Sequence, residues 1–162
     1  MTFSAATAAN ALLQRAFKEG RPDVTPMKLQ KLLWFLNGWH LAIYAKPAVF
    51  EPFEAWKYGP VVASLYHSTK KYGGNRVSEY IPMLDEQSGT FKAFVPSASA
   101  TGFRDTLDLT WEKYIGSSAI KLSAMTHMSG SPWAIARERG EPTISNATIQ
   151  EYFVGLARPE RR

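Results

Sequence analysis

Thr25 to Tyr72 reads TPMKLQKLLWFLNGWHLAIYAKPAVFEPFEAWKYGPVVASLYHSTKKY, and it holds three of the five tryptophans. Thr25-Pro26 opens a helix: the threonine hydroxyl caps free N–H groups, and the proline supplies the first helical φ without losing a needed donor. Leu29, Leu32, Leu33, Leu36, Trp39, Ile43 and Tyr44 then form an apolar surface too wide for a one-sided helix. The spacing predicts a buried helix to about Ala45, closed by Pro47. Position N3 is Lys28, not Glu, so the capping box is missing and a cation sits at the positive end of the helix dipole. Lys28 and Lys31 are therefore candidates for work outside the helix, against the plainer reading that both are solvated.

Pro52 and Pro60 bracket Phe53-Glu54-Ala55-Trp56-Lys57-Tyr58-Gly59, which alternates with period two. This predicts one short strand, with Phe91 to Val95 as its partner, joined by Val77 to Ile81. Gly59-Pro60 is read as the start of a third helix, Pro60 to Tyr72, with Val61, Val62, Leu65, Tyr66, Thr69 and Tyr72 inward. Gly73-Gly74-Asn75 stops it.

Outward from this stretch, Ala5 to Lys18 forms a first helix on Ala6, Ala9, Leu13, Ala16 and Phe17. Asn10 falls in mid-helix, where asparagine has poor propensity; it reads as a buried polar anchor or as a residue facing solvent, and solvent is the preferred reading. Glu86 to Gly89 reads as a hairpin tip, and Pro96 to Gly102 as a mobile surface loop. Phe103 to Ile115 is helical. Ser118 caps a helix with Ile120, Leu122 and Met125 inward. Ser131-Pro132 opens a short helix ended by Gly140, and Ser145 caps the last, with Ile149, Tyr152, Phe153 and Leu156 inward. The expected fold is mainly α: a single compact helical domain of about six helices, residues 1–157, with a short antiparallel β element between helices 2 and 3 and after helix 3. Residues 158–162, with Arg158, Arg161 and Arg162, read as a frayed basic tail.

The chain has 162 residues, 45% of them hydrophobic and 20% charged, enough for one real core. It has no cysteine, which removes disulfides and Cys-based zinc sites and suits a cytoplasmic protein. The first twenty residues lack a signal peptide's basic and apolar regions, and no window of about 18 apolar residues suggests a membrane span. A net charge of +5 would favour an acidic partner or nucleic acid, but the basic residues are scattered. His40, His67 and His127 lack metal-ligand spacing, so neither metal nor cofactor is expected. His40 reads as a hydrogen-bonded core histidine. Nucleotide-binding and hydrolase templates are missing. Ser131 with His127 suggests a nucleophile and base, but Ser131-Pro132 accounts for that serine as a cap.

Several strings resemble the Panacea domain family of SocA-like, phage-associated proteins. They are Thr25-Pro26-Met27-Lys28-Leu29-Gln30-Lys31-Leu32-Leu33, Gly38-Trp39, Phe53 through Val61, and Leu65-Tyr66-His67. Later matches are Trp111-Glu112-Lys113-Tyr114, Leu122-Ser123 with Thr126-His127, Ser131-Pro132-Trp133 and Ile149 to Phe153. The resemblance covers about residues 5 to 157, leaving out 87–102. The resemblance implies a non-enzymatic antitoxin that binds a protein toxin and covers its active surface or directs it to a protease. The candidate contact surface is Lys28, Lys31, Trp56, Lys57, Tyr58 and His67, although Trp56 and Tyr58 are equally accounted for by packing. A DNA-binding regulator is the second reading, with a winged-helix-like unit built from helix 2, the strand and helix 3. An enzyme is the third, and it lacks a template.

Overall fold

The computed structural model describes residues 1–158, so the expected fraying of the tail beyond Arg158 lies outside the described residues. Seven α-helices and two small antiparallel sheets make up the described chain. α2 (Pro26–Tyr44) is the axis. Every residue from Lys28 to Leu41 is buried, because α1 (Ala5–Lys18), α4 (Thr101–Tyr114), α5 (Ala119–Thr126) and α7 (Asn146–Ala157) surround it. This is the packing that its all-round apolar pattern dictates. Thr25 caps it as expected, its Oγ1 accepting from the Lys28 N–H, and Ala45 ends it in the left-handed region at φ 56°.

Serines start four of the helices. Ser4, Ser118, Ser131 and Ser145 each accept a hydrogen bond from the backbone N–H three residues on. Ser131 thus caps α6 (Pro132–Arg139) and also donates to the Thr126 carbonyl at 2.8 Å, while His127 Nδ1 turns to the Ser123 carbonyl at 2.6 Å. The serine and histidine are each engaged elsewhere.

The antiparallel β elements lie where expected, between α2 and α3 and after α3, but their pairing departs from expectation. The predicted single strand is a hairpin, β1 (Phe53–Trp56) and β2 (Gly59–Val61), with Trp56 opposite Gly59. β1's other neighbour is β5 (Thr143–Ile144), not residues 91–95. Those residues belong to a separate hairpin, β3 (Pro82–Asp85) with β4 (Thr90–Ala93), whose tip falls at 86–89 as read. Pro60 lies in β2 and starts no helix. β2 has a neighbour on one side only, so a missing N–H is tolerated there. Consequently α3 is short, Ala63–Thr69, and runs into a single 3-10 turn at Lys70–Tyr72.

Burial corrects six side chains. Ile120 is 79% exposed, Ile43 51%, Leu156 50%, Tyr66 42% and Tyr44 40%, all expected inward. Asn10 is fully buried instead of solvated. Its side chain donates to the carbonyls of Ile81 (2.9 Å) and Phe94 (3.0 Å) and accepts from the Ile81 N–H (2.7 Å). Asn37 and Gln30 do the same on α2. Asn37 accepts from the Ala48 and Val49 N–H groups, and Gln30 both donates to and accepts from the Val62 backbone. Three buried amides thus stand in for the strand partners that these irregular segments lack.

Candidate functional site

The β1–β2 hairpin is held from outside by side chains, and this shapes the site. Trp133 Nε1 donates to the Trp56 carbonyl at 2.7 Å, and Arg137 Nη1 to the Ala55 carbonyl at 3.1 Å, both from α6. Ser123 of α5 donates to the Tyr58 carbonyl at 3.2 Å, and Lys31 of α2 to the Pro60 carbonyl at 3.2 Å. Two constraints act on Gly59. Its φ is +118°, and a Cβ there would meet the Lys31 ammonium at 2.7 Å. The backbone therefore demands glycine, and an added Cβ would also displace the Lys31 ammonium.

One face of this clamped hairpin, with the start of α2 and the α3 turn, encloses an open groove of about 760 Å³. Met27 and Gln30 form the α2 side, Trp56 and Tyr58 the hairpin side, and Tyr66 and Lys70 the far wall. Trp56 is half-buried and meets the Tyr66 ring edge-on at 5.0 Å. Tyr58 is 69% exposed and Met27 44%, so the groove opens onto apolar surface that the fold itself does not cover. Four cations line it, Lys31, Lys57, Lys70 and Arg137, and no Asp or Glu is among its lining residues.

The six candidate residues separate. Lys31, Trp56, Lys57 and Tyr58 line the groove. Lys28 is on another face of α2, 1% exposed, with its ammonium 2.7 Å from both the Asp23 carboxylate and the Ile115 carbonyl. Arg21 joins them, and hydrogen bonds from Arg21, then Lys28, hold the Asp23 carboxyl well below the usual range. His67 is exposed outside the groove, its ring 5.5 Å from that of Tyr66. Lys28 and Lys31 are both buried, which removes the solvated reading for each. Sequence reading missed Met27, Gln30, Tyr66, Lys70 and Arg137 in the groove. Arg137 arrives from far along the chain, and nothing local signals it. Tyr66 reads as inward with Leu65 and Thr69, which hides its place on the exposed groove wall. His40 is buried as expected, its Nδ1 2.6 Å from the Lys46 carbonyl, and burial pushes its pKa down. Among the described residues no three His, Asp, Glu or Cys side chains gather as metal ligands, and no helix is long and apolar enough to cross a membrane.

Burial also acts on Lys31, lowering its pKa from 10.5 to about 8. The folded chain then releases this proton near pH 8, while the unfolded chain holds it to 10.5. Between these values the unfolded state binds more protons, so stability rises with pH across that window. Urea midpoints for wild type and Lys31→Met across the same window test this. Wild type is expected to gain stability relative to the variant as pH rises, and parallel curves would contradict it.

Residues 29–134 match the family described as antitoxin SocA-like, Panacea domain. Among curated proteins, Antitoxin SocA of Caulobacter vibrioides (strain NA1000 / CB15N) is 33% identical over 130 residues, covering 78% of this chain and 66% of that protein. The match thus spans just under two thirds of that relative's length. No solved structure matches the chain.

Proposed function

Because the chain belongs to the antitoxin SocA-like Panacea domain family, we propose that it is an antitoxin that neutralises a protein toxin by direct contact. The family supports the antitoxin role and suggests a non-enzymatic one. Contact as the mode is supported by the groove beside the hairpin. It presents uncovered aromatic and apolar side chains next to unpaired positive charge, the composition of a binding hot spot. The acting unit is the domain of residues 1–157, working in the cytoplasm. Contact ends either in occlusion of the toxin's active surface or in its delivery to a protease.

Co-expression with the product of the adjacent reading frame tests this. Growth rescue with a co-purifying complex is the expected result. A stable toxin within that complex indicates occlusion, and a toxin half-life that shortens when the antitoxin is present indicates delivery. A toxic neighbour that is neither rescued nor bound would refute the proposal for that pair.

A further inference from the structure

We infer that the groove between α2, the β1–β2 hairpin and the α3 turn receives an acidic peptide segment of the toxin, with an apolar side chain seated among Met27, Trp56 and Tyr66. The inference rests on the antitoxin reading and goes further by naming the chemistry of the bound segment. Charge complementarity decides the sign. Lys31, Lys57, Lys70 and Arg137 line the groove without one carboxylate among the lining residues, in a chain that carries 14 Asp and Glu. The salt bridges among the described residues engage none of these four cations with an acid. Lys31 is buried on the Pro60 carbonyl and Arg137 bonds the Ala55 carbonyl, while Lys57 and Lys70 are exposed and present their charge to a partner.

The shape favours a peptide over a nucleic acid. A phosphate backbone is tracked by cations strung along an open surface. Here the cations stand around an apolar floor within a recess of about 760 Å³, inside the range of roughly 300–1,000 Å³ typical of ligand clefts that bury most of what they bind. An apolar side chain entering the recess is desolvated against Met27, Trp56 and Tyr66, while flanking carboxylates meet Lys57 and Lys70 at the rim. The hairpin clamps described above hold these walls in place before the partner arrives, which limits the ordering cost of binding.

Lys57 and Lys70 are exposed, so their reversal leaves the core untouched. The test compares K57E/K70E with K18E/K121E, which makes the same charge change at exposed sites away from the groove. Each full-length variant is co-expressed with the adjacent reading frame's product, and complex affinity is measured at low and high salt. Wild type and K18E/K121E are expected to bind alike, and K57E/K70E to bind about tenfold or more weakly, with a flattened salt dependence. Tiled peptides covering the toxin are expected to give one acidic segment bound by wild type and lost in K57E/K70E. An unchanged complex in K57E/K70E overturns the groove assignment while leaving the antitoxin reading intact. A neutral or basic tiled segment overturns the acidic assignment. Binding of random-sequence duplex DNA that is lost in K57E/K70E assigns the groove to phosphate and overturns it too. Absence of any complex with wild type refutes the antitoxin reading first, and the inference with it.

Discussion

Gly38→Ala is expected to destabilise the protein by about 3 kcal/mol, despite placing a better helix former in the middle of α2. A Cβ at Gly38 would lie 2.2, 2.4 and 2.5 Å from three ring atoms of Phe153 on α7. These are distances that force movement. The Phe153 ring is fully buried and has nowhere to go, since Trp39 packs against it at 5.2 Å, Tyr152 at 5.6 Å, Phe35 at 6.1 Å and Trp34 at 6.2 Å. The strain must be relieved by separating α2 from α7, which opens the densest contact of the fold. Chemical denaturation gives the stability change. A thermal scan should fall by about 10 °C for a domain of this size. Shortening the partner is expected to recover part of the loss: Phe153→Leu in the Gly38→Ala background should cost less than in wild type. A neutral Gly38→Ala would mean that α7 shifts freely on α2.

Asn10→Ala is expected to cost about as much, roughly 3 kcal/mol, by a different route. Nothing is overpacked there. Instead, the Ile81 N–H, the Ile81 carbonyl and the Phe94 carbonyl lose their shared partner in a buried setting. Two of these lie just before β3 and one just after β4, so Asn10 ties both ends of that hairpin to α1. The loss should therefore be local as well as global. Limited proteolysis or hydrogen exchange is expected to show residues 77–95 opening before the helices do. Uniform loss of protection across the chain would contradict this tethering role.

Local signals carried most of the helical fold. Thr25-Pro26, Ser118, Ser131-Pro132 and Ser145 satisfy the N–H groups next to them, and such bonds need no knowledge of the rest of the chain. The width of the apolar surface from Leu29 to Tyr44 likewise announced a central helix. What failed was long-range. No residue in Phe53–Trp56 indicates that its neighbour will be Thr143–Ile144, because strand pairing is settled by packing between distant segments. Proline at position 60 was ambiguous between a helix's first turn and a sheet edge, and only the one-sided pairing of β2 resolves it. Asn10 and Lys28 misled for a shared reason. Polar side chains are read as solvated by default, yet each is buried with its polar atoms bonded. Of the groove, the hairpin half was legible in the Trp56-Lys57-Tyr58 run. The half contributed by Tyr66, Lys70 and Arg137 depends on how α3 and α6 sit, which no local spacing encodes.

The hairpin's dependence on Trp133, Arg137 and β5 bears on synthesis. On the ribosome, residues 53–61 emerge early, but the side chains that satisfy the Ala55 and Trp56 carbonyls, and the strand that flanks β1, are translated much later. A nascent chain that has not yet delivered them has the wall's residues without the wall. Until residues 133–144 have left the exit tunnel, the Ala55 and Trp56 carbonyls lack these donors and β1 lacks its flanking strand, so the hairpin wall is completed only after that portion has been made.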